Sequence, residues 1–498
     1  EYAYMGQLIS EGIIPYNGAY SMKLPGTAFM YYVIMSIFGR SVAGIHMGLL
    51  AINMAVLPAL FSLSKRLVNQ RAAIVAASSY AVISLSLPVI GFMAHATHFV
   101  VLFAIWGVYF LYVAMEDTGK RRWLIAASGL CLGMAFVMKQ HGMFFYFFAV
   151  VYLYFMRQCF KDFVFDCVIL SVMAAMPFAV TLLIIYRGGV FGNFWFWCFT
   201  YSSKYVSSLP LMEGLSRFST MAPRMVKHFT AFWIFGIIGF IALANAQIQG
   251  RGSRRPFIVL FFLFSFLSIL PGLYFREHYF VLIIPALSLA AGYCSEHLTS
   301  ALKEKSKNTL LPMLPIAALF VSVIVTLSLQ GEIYFRLPPD EISRKIYGMN
   351  PFIESLKIAQ YIKSRAKDGD RIAILGSEPQ ILFYSGLHSA TGYIYMYGLM
   401  EDQPYNLQMQ KAMVAEIEKI KPAFIVFVQI PASWLPAQNA PLLIFDWAKR
   451  YIEENYVVTG VIDMQYYDNI VYKFDAEALD YNPRSKFYVC IFKRKDGG

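Results

Sequence analysis

The chain has 498 residues, of which 58% are hydrophobic, 17% aromatic and only 14% charged. An average soluble chain carries about 25% charged residues, so an ordinary soluble globular protein is excluded. The formal charge of +12 does not point to nucleic acid, because the cations sit mainly in short loops between apolar runs, where basic residues set membrane topology.

The opening segment, EYAYMGQLISEGIIPYNGAYSMKLPG, is aromatic and amphipathic, with a Pro15-Tyr16 turn and a break at Lys23-Leu24-Pro25-Gly26. It reads either as an interfacial helix with a tyrosine belt or as a loop covering a reaction site. The apolar run 27–38 has 12 residues, too few to cross a bilayer, so it is expected in the interface or as a re-entrant piece. Ten longer runs follow and predict ten membrane spans: 43–64, 71–92, 98–116, 122–138, 141–157, 162–186, 228–247, 256–273, 277–297 and 309–330. Runs this apolar must be helical, because backbone polar groups in lipid have to be satisfied within the segment.

The basic residues orient the spans. Lys65, Arg66, Arg71, Lys120, Arg121, Arg122, Arg157, Lys161, Arg251, Arg254, Arg255, Lys303, Lys305 and Lys307 all fall in loops of one side, against Lys139 and Arg276 in the short loops of the other. The richer side is cytoplasmic. Residue 1 is then outside, which requires an upstream signal or anchor; the expectation is about eleven spans in the complete protein, with the C-terminus outside.

After Gln330 charges recur every few residues, and short β-rich runs appear at Ile372–Leu375, Phe424–Val428, Val457–Ile462 and Phe487–Phe492, with helical patterns at 351–365 and 408–420 between them. Strands alternating with helices predict a small α/β domain, and Pro338-Pro339 marks its linker. The predicted fold class is a mainly α, polytopic helical bundle with a C-terminal extracytoplasmic α/β domain. The expected divisions are 1–42 as outer loop, 43–330 as membrane domain and 331–498 as soluble domain.

Candidate chemistry gathers on the outer side. Lys139 ends a span beside Gln140 and His141; it either snorkels to the interface or binds a phosphate as a point charge. Arg276 and His278 lie in LYFREHYF between two spans, and ionisable groups at membrane depth are functional candidates by default. Lys23, Lys139 and Arg276 could together hold a lipid phosphate and offset the charge that grows on it as a sugar leaves. His95 and His98 could be metal ligands, but no third ligand is visible, and hydrogen-bonded histidines fit better. The aromatic stretch GNFWFWCFTYSSKY in loop 187–227 fits an interfacial helix. Gly376-Ser377-Glu378-Pro379 reads as a strand-to-helix turn. Six scattered cysteines show no disulfide or zinc pattern.

These residues resemble the membrane glycosyltransferases of the C-type fold, closest to the bacterial branch of aminoarabinose transferase and protein mannosyltransferase relatives. That family opens its first outer loop with Asp-Glu-x-x-Tyr, then Pro-Tyr, then Lys-Pro-Pro. Tyr2, Pro15-Tyr16 and Lys23-Leu24-Pro25 match in order. Val137-Met138-Lys139-Gln140 resembles its Leu-x-Lys-Gly, and Arg276-Glu277-His278-Tyr279 with Pro285 resembles its basic-x-x-Tyr and Pro. The resemblance covers residues 1–330. It implies inverting transfer of a sugar from a polyprenyl-phosphate lipid to an acceptor glycan, lipid or protein. Lys23, Lys139 and Arg276 would hold the phosphate, and Tyr2, Tyr16, His98, His278 and Tyr279 would line the substrate. The catalytic carboxylate would precede Glu1, with Glu1 a neighbour or weak substitute. No metal or other cofactor is expected, although His95 and His98 stand where the family often has an Asp. A lipid or sugar flippase is the alternative; the expected repeated halves of a transporter are absent from the sequence.

The orientation is testable. A reporter active only outside the cytoplasm should work when fused after Gly498 and stay silent when inserted in 251–255. The reverse pattern would overturn the outer-face assignment.

Overall fold

The computed structural model describes residues 1–207, 209–245, 255–305 and 307–495. Arg251 and Arg254, counted above among the basic loops, lie outside the described residues. Two compact units emerge. One comprises Glu1–Met22, Arg187–Lys204 and Phe335–Gly498; the other comprises Lys23–Tyr186 and Tyr205–Tyr334.

The second unit is helical. Each of the ten predicted ranges carries helix among the described residues. Among the described residues five helices are long and apolar enough to cross a membrane unbroken: Val42–Leu67, Ala96–Glu116, Arg121–Met138, Phe160–Arg187 and Leu311–Leu329. The remaining ranges are shorter or interrupted. The range 71–92 is a helix Gln70–Ile83 followed by a short turn at Leu87–Val89, where Pro88 cannot continue a hydrogen-bond ladder. The run 27–38 forms the 13-residue helix Gly26–Phe38. Helices Leu211–Lys227 and Thr230–Ala244 meet at 111°.

Helix starts are capped where the sequence offers a cap. Ser41 Oγ accepts from the Gly44 N–H at 3.0 Å, and Asn69 Oδ1 from the Ala72 N–H at 3.0 Å, each satisfying a donor that the first turn leaves orphaned. Gly129 and Gly133 pack directly on the backbone of Leu170 and Ala174. Small residues four apart let two spans approach backbone to backbone, the usual source of packing energy in lipid. The same two spans share a buried ion pair. Asp166, fully buried, takes a hydrogen bond from Arg157 at 2.6 Å and lies 3.7 Å from Arg121.

The first unit is an α/β domain built on a six-stranded sheet. Its strands are β1 (Arg371–Leu375), β2 (His388–Ser389), β3 (Phe424–Gln429), β4 (Tyr456–Met464), β5 (Ile470–Phe474) and β6 (Tyr488–Arg494), in the order β2-β1-β3-β6-β4-β5. β2, β1 and β3 run parallel, and β3, β6, β4 and β5 alternate. Ile374 faces Val426, and Val426 faces Ile491, all buried. The four predicted strands are all present. β5 and the two-residue β2 went unread; β5 is five residues long and only half-buried.

Two distant segments complete this unit. Tyr20 N–H donates to the Gly392 carbonyl at 2.7 Å, and Tyr20 O–H donates to Glu416 at 2.9 Å. His388 meets Glu11 at 2.6 Å. Trp197 stacks on Tyr20 at 5.5 Å, and Tyr201 O–H donates to Glu401 at 2.7 Å. The aromatic stretch 191–201 is helical, with a π-helical turn at Phe196–Tyr201, and its rings pack in this unit.

Asp166→Ala should remove the only carboxylate facing Arg157 among the described ion pairs and leave that guanidinium buried. Breaking a buried pair from one side costs about 3–5 kcal/mol. The expected result is a clearly lowered thermal unfolding midpoint in detergent. An unchanged midpoint would mean the pair contributes nothing to the helical unit.

Candidate active site

The helical unit gathers four sequence stretches at one place. The span Arg121–Met138 ends at Lys139, whose extended backbone (φ −161°, ψ 141°) leaves the helix and enters a short turn, Gln140–Gly142. Gly142 lies directly against the Ala135 carbonyl, so a side chain there would force the turn open. The Lys23-Leu24-Pro25-Gly26 break is held to the same place. Thr27 Oγ1 donates to the Met138 carbonyl at 2.8 Å, and a Cβ on Gly26 would stand 2.5 Å from the Val137 carbonyl oxygen. Tyr31 O–H donates to the Ala94 carbonyl at 2.8 Å, which fixes the start of the His95 turn.

The fourth stretch, Ser268 to Tyr279, closes the cluster. The Lys139 ammonium lies 3.8 Å from the centre of the Tyr279 ring, a cation–π contact. His141 donates from Nδ1 to the Ser268 carbonyl at 2.7 Å. The Tyr279 ring meets His141 and His278 edge-on, each at 4.8 Å, and His278 stacks on His95 at 4.2 Å.

Arg276 is exposed and is positioned by an unusual backbone. Gly272, Leu273 and Phe275 all have positive φ, at 76°, 55° and 45°. For the two non-glycine residues this costs roughly 1–3 kcal/mol each. Phe275 is buried against Phe218, with ring centres 4.9 Å apart, and that packing retains the turn. Arg276 Nη2 donates to the Tyr205 hydroxyl at 2.9 Å, and Tyr205 stacks on Tyr274 at 4.7 Å. Tyr274 and Tyr205 were not singled out from sequence. Tyr274 stands inside the LYFREHYF motif and Tyr205 ends the aromatic stretch GNFWFWCFTYSSKY, so an aromatic signal was available for both, but nothing in either pairs it with Arg276.

The electrostatics are one-sided. Lys139 is buried. Burial, then the charges of Lys23 and Arg276, push its ammonium well below its usual range. Burial, then Lys139 and Arg276, hold His95 down at about 4, so that imidazole stays neutral at pH 7. An anion among these cations would relieve the repulsion and favour the charged form of Lys139. Among the described residues no group of three His, Cys, Asp or Glu is placed to hold a metal ion.

The remaining sequence candidates stand elsewhere. His98 is fully buried one helical turn beyond His95, with Nδ1 3.2 Å from Asn53 Oδ1, which also accepts from Tyr80. Glu1, Tyr2 and Tyr16 belong to the α/β unit. Tyr16 is fully buried at φ 71°, its ring against Phe194 at 5.3 Å and its hydroxyl 3.2 Å from Cys198 Sγ. Tyr2 starts the helix Tyr2–Ser10 and is half-buried. Glu1 accepts from Ser21 Oγ at 2.7 Å.

The chain resembles known proteins in sequence over part of its length and in fold. Residues 22–184 match the family described as dolichyl-phosphate-mannose-protein mannosyltransferase. No curated protein matches the chain in sequence. ArnT from Cupriavidus metallidurans, bound to undecaprenyl phosphate, superimposes with a TM-score of 0.60 at 13% identity, covering 86% of this chain and 87% of ArnT. Its apo form gives 0.60 at 13% identity over 99% and 92%. The Archaeoglobus fulgidus oligosaccharyltransferase, tethered to an acceptor peptide, gives 0.57 at 11% identity over 97% of this chain and 70% of that one. The chain therefore shares the fold of ArnT and of the oligosaccharyltransferase, and residues 22–184, about a third of it, match the mannosyltransferase family's sequence pattern.

Gly26→Val should drive a side chain into the Val137 carbonyl. Overpacking of this kind costs about 1–3 kcal/mol, so the unfolding midpoint in detergent should fall. Gly192→Ala, where nothing stands within 4 Å and φ is not positive, is the control and should leave the midpoint near wild type.

Proposed function

We propose that the chain is an inverting glycosyltransferase. It moves a sugar from a polyprenyl-phosphate donor to an acceptor hydroxyl or amide at the outer face of the cytoplasmic membrane. The observation that carries this reading is the cluster of Lys23, Lys139 and Arg276, which share one electrostatic neighbourhood with aromatic rings and a neutral histidine. ArnT, which has the same fold, was solved with undecaprenyl phosphate bound.

In this reading the acceptor oxygen or nitrogen attacks C1 of the sugar on the face opposite the phosphate. The C1–O bond to phosphate breaks, and both electrons stay with the departing polyprenyl phosphate. The three cations offset the charge that grows there. A carboxylate takes the acceptor proton as general base. A monophosphate donor in a cationic cradle needs no metal for this step. The donor sugar belongs to the hexosyl or pentosyl class.

Chain topology supports the outer-face placement. The spans predicted from sequence number six between Met22 and Arg187 and four between Lys204 and Phe335, both even, so the flanking segments would return to one side of the bilayer. The basic loops put the opposite side in the cytoplasm.

The test replaces Lys23, Lys139 and Arg276 by Met, one at a time, and counts label passed from a radiolabelled polyprenyl-phosphate sugar pool to membrane acceptors. Losing one charge-assisted contact is worth roughly 1.5–3 kcal/mol, about ten- to a hundredfold in rate, with thermal stability near wild type. Arg276→Lys keeps the charge but loses the fork and should retain intermediate activity. Wild-type transfer in all three Met variants would sink the cradle.

A further inference from the structure

The α/β unit has a cavity of its own, of about 140 Å³. Its position follows from strand order. The chain leaves β1 to form β2 on one side and returns to form β3 on the other, all three parallel. Such a reversal leaves a crevice beyond the carboxyl ends of the two strands it separates, and open α/β sheets bind ligands there. The cavity lies at that place. Ser377 and Glu378, just after β1, and Ala432 and Ser433, just after β3, line it.

The crevice is built rather than incidental. Gly376 has φ 157°, and a Cβ there would collide with the Glu378 carboxylate and stand 2.7 Å from Val428. Ser377 N–H donates to Ser433 Oγ at 2.7 Å, and Ser433 O–H donates to Glu378 Oε2 at 2.8 Å. Glu378 is 3% exposed. Burial holds its carboxyl up at about 8, with the Ser433 hydrogen bond opposing, so at neutral pH it is an acid that can donate. Tyr397 O–H is fixed on the Ala432 carbonyl at 2.9 Å, and its ring lies 4.4 Å from that of Tyr395. Asn350, Gln380 and Glu1 add polar groups, and no lysine, arginine or histidine lines the cavity.

That chemistry excludes a phosphate and selects a neutral ligand with a ring face for the tyrosines and hydroxyls for the amides and acids. The volume admits one small ring and not an oligomer; drug-sized sites run from roughly 300 Å³ upward. We propose that this cavity is an acceptor subsite, binding one neutral, hydroxyl-rich sugar unit of the acceptor between Glu378, Asn350 and the Tyr395–Tyr397 pair. The proposal rests on the transferase reading. It assigns to the α/β unit a ligand different in charge from the one assigned to the helical unit.

The experiment uses the full chain in detergent and a panel of methyl glycosides of glucose, mannose, galactose and N-acetylglucosamine, read by saturation-transfer NMR. At least one glycoside should show saturable binding. Glu378→Leu should weaken it roughly tenfold or more, the loss of one buried hydrogen bond, while Glu378→Gln should stay within a few fold. Should Glu378→Leu fail to fold, the half-buried Asn350→Ala reads the same loss. In parallel, label transfer from the polyprenyl-phosphate pool is measured on the same samples. Transfer by wild type with no glycoside bound would overturn the subsite and leave the transferase intact. Glycoside binding untouched by Glu378→Leu and Asn350→Ala would also overturn it, by placing the sugar elsewhere. Glycoside binding with no transfer at all would overturn the acceptor role together with the transferase reading.

Discussion

Lys139 is the group on which the helical site depends. An ammonium buried at the end of a span is costly, and its effective penalty is several kcal/mol. Lys23 and Arg276 raise that cost rather than lowering it. What the protein supplies in return is modest: the face of the Tyr279 ring at 3.8 Å, and neutral His95 in place of a further charge. In the proposed reading, the three cations share one electrostatic neighbourhood because an anionic ligand is to be received there.

The cations are held by backbone more than by side-chain networks. Gly26 and Gly142 let main chain touch main chain beside Lys139, and the left-handed residues Leu273 and Phe275 aim Arg276. Positions set this way tolerate little drift, because a missing or added Cβ shifts a whole turn. This is the precision that the proposed glycosyl transfer would reward, since geometry errors near 1 Å can cost about a hundredfold in rate.

Much of this was legible in the sequence. Lys139 and Arg276 stand out because a charge beside a long apolar run has no place in the span pattern. The strands at Ile372, Phe424, Val457 and Phe487 stand out because β-branched and aromatic residues cluster there. The unread parts depend on contacts between distant residues. Nothing in Tyr205 announces that it braces Arg276 across 71 residues, and nothing in Tyr20 announces Glu416. The α/β unit draws on three separate segments, and pairing of that kind leaves no periodicity. Glu378 was read only as part of a turn. Its role at the end of β1 becomes visible once β3 and Ser433 stand beside it.

The two units differ in the charge they are built to receive. In the helical unit the clustered groups are cations and a neutral imidazole, a setting for a phosphate. In the α/β unit the cavity is lined by acids, amides and phenols without a single basic side chain, a setting for a neutral polyol. A lipid-linked donor and a sugar-bearing acceptor differ in the same way, since one brings a phosphate and the other hydroxyls. In the proposed reading, placing the two chemistries on separate units limits each substrate's binding in the other's place, because a phosphate would meet Glu1 and Glu378 and a bare sugar would bring no charge to the cations. Selectivity then comes from the mismatch each wrong partner would suffer as well as from the match of the right one.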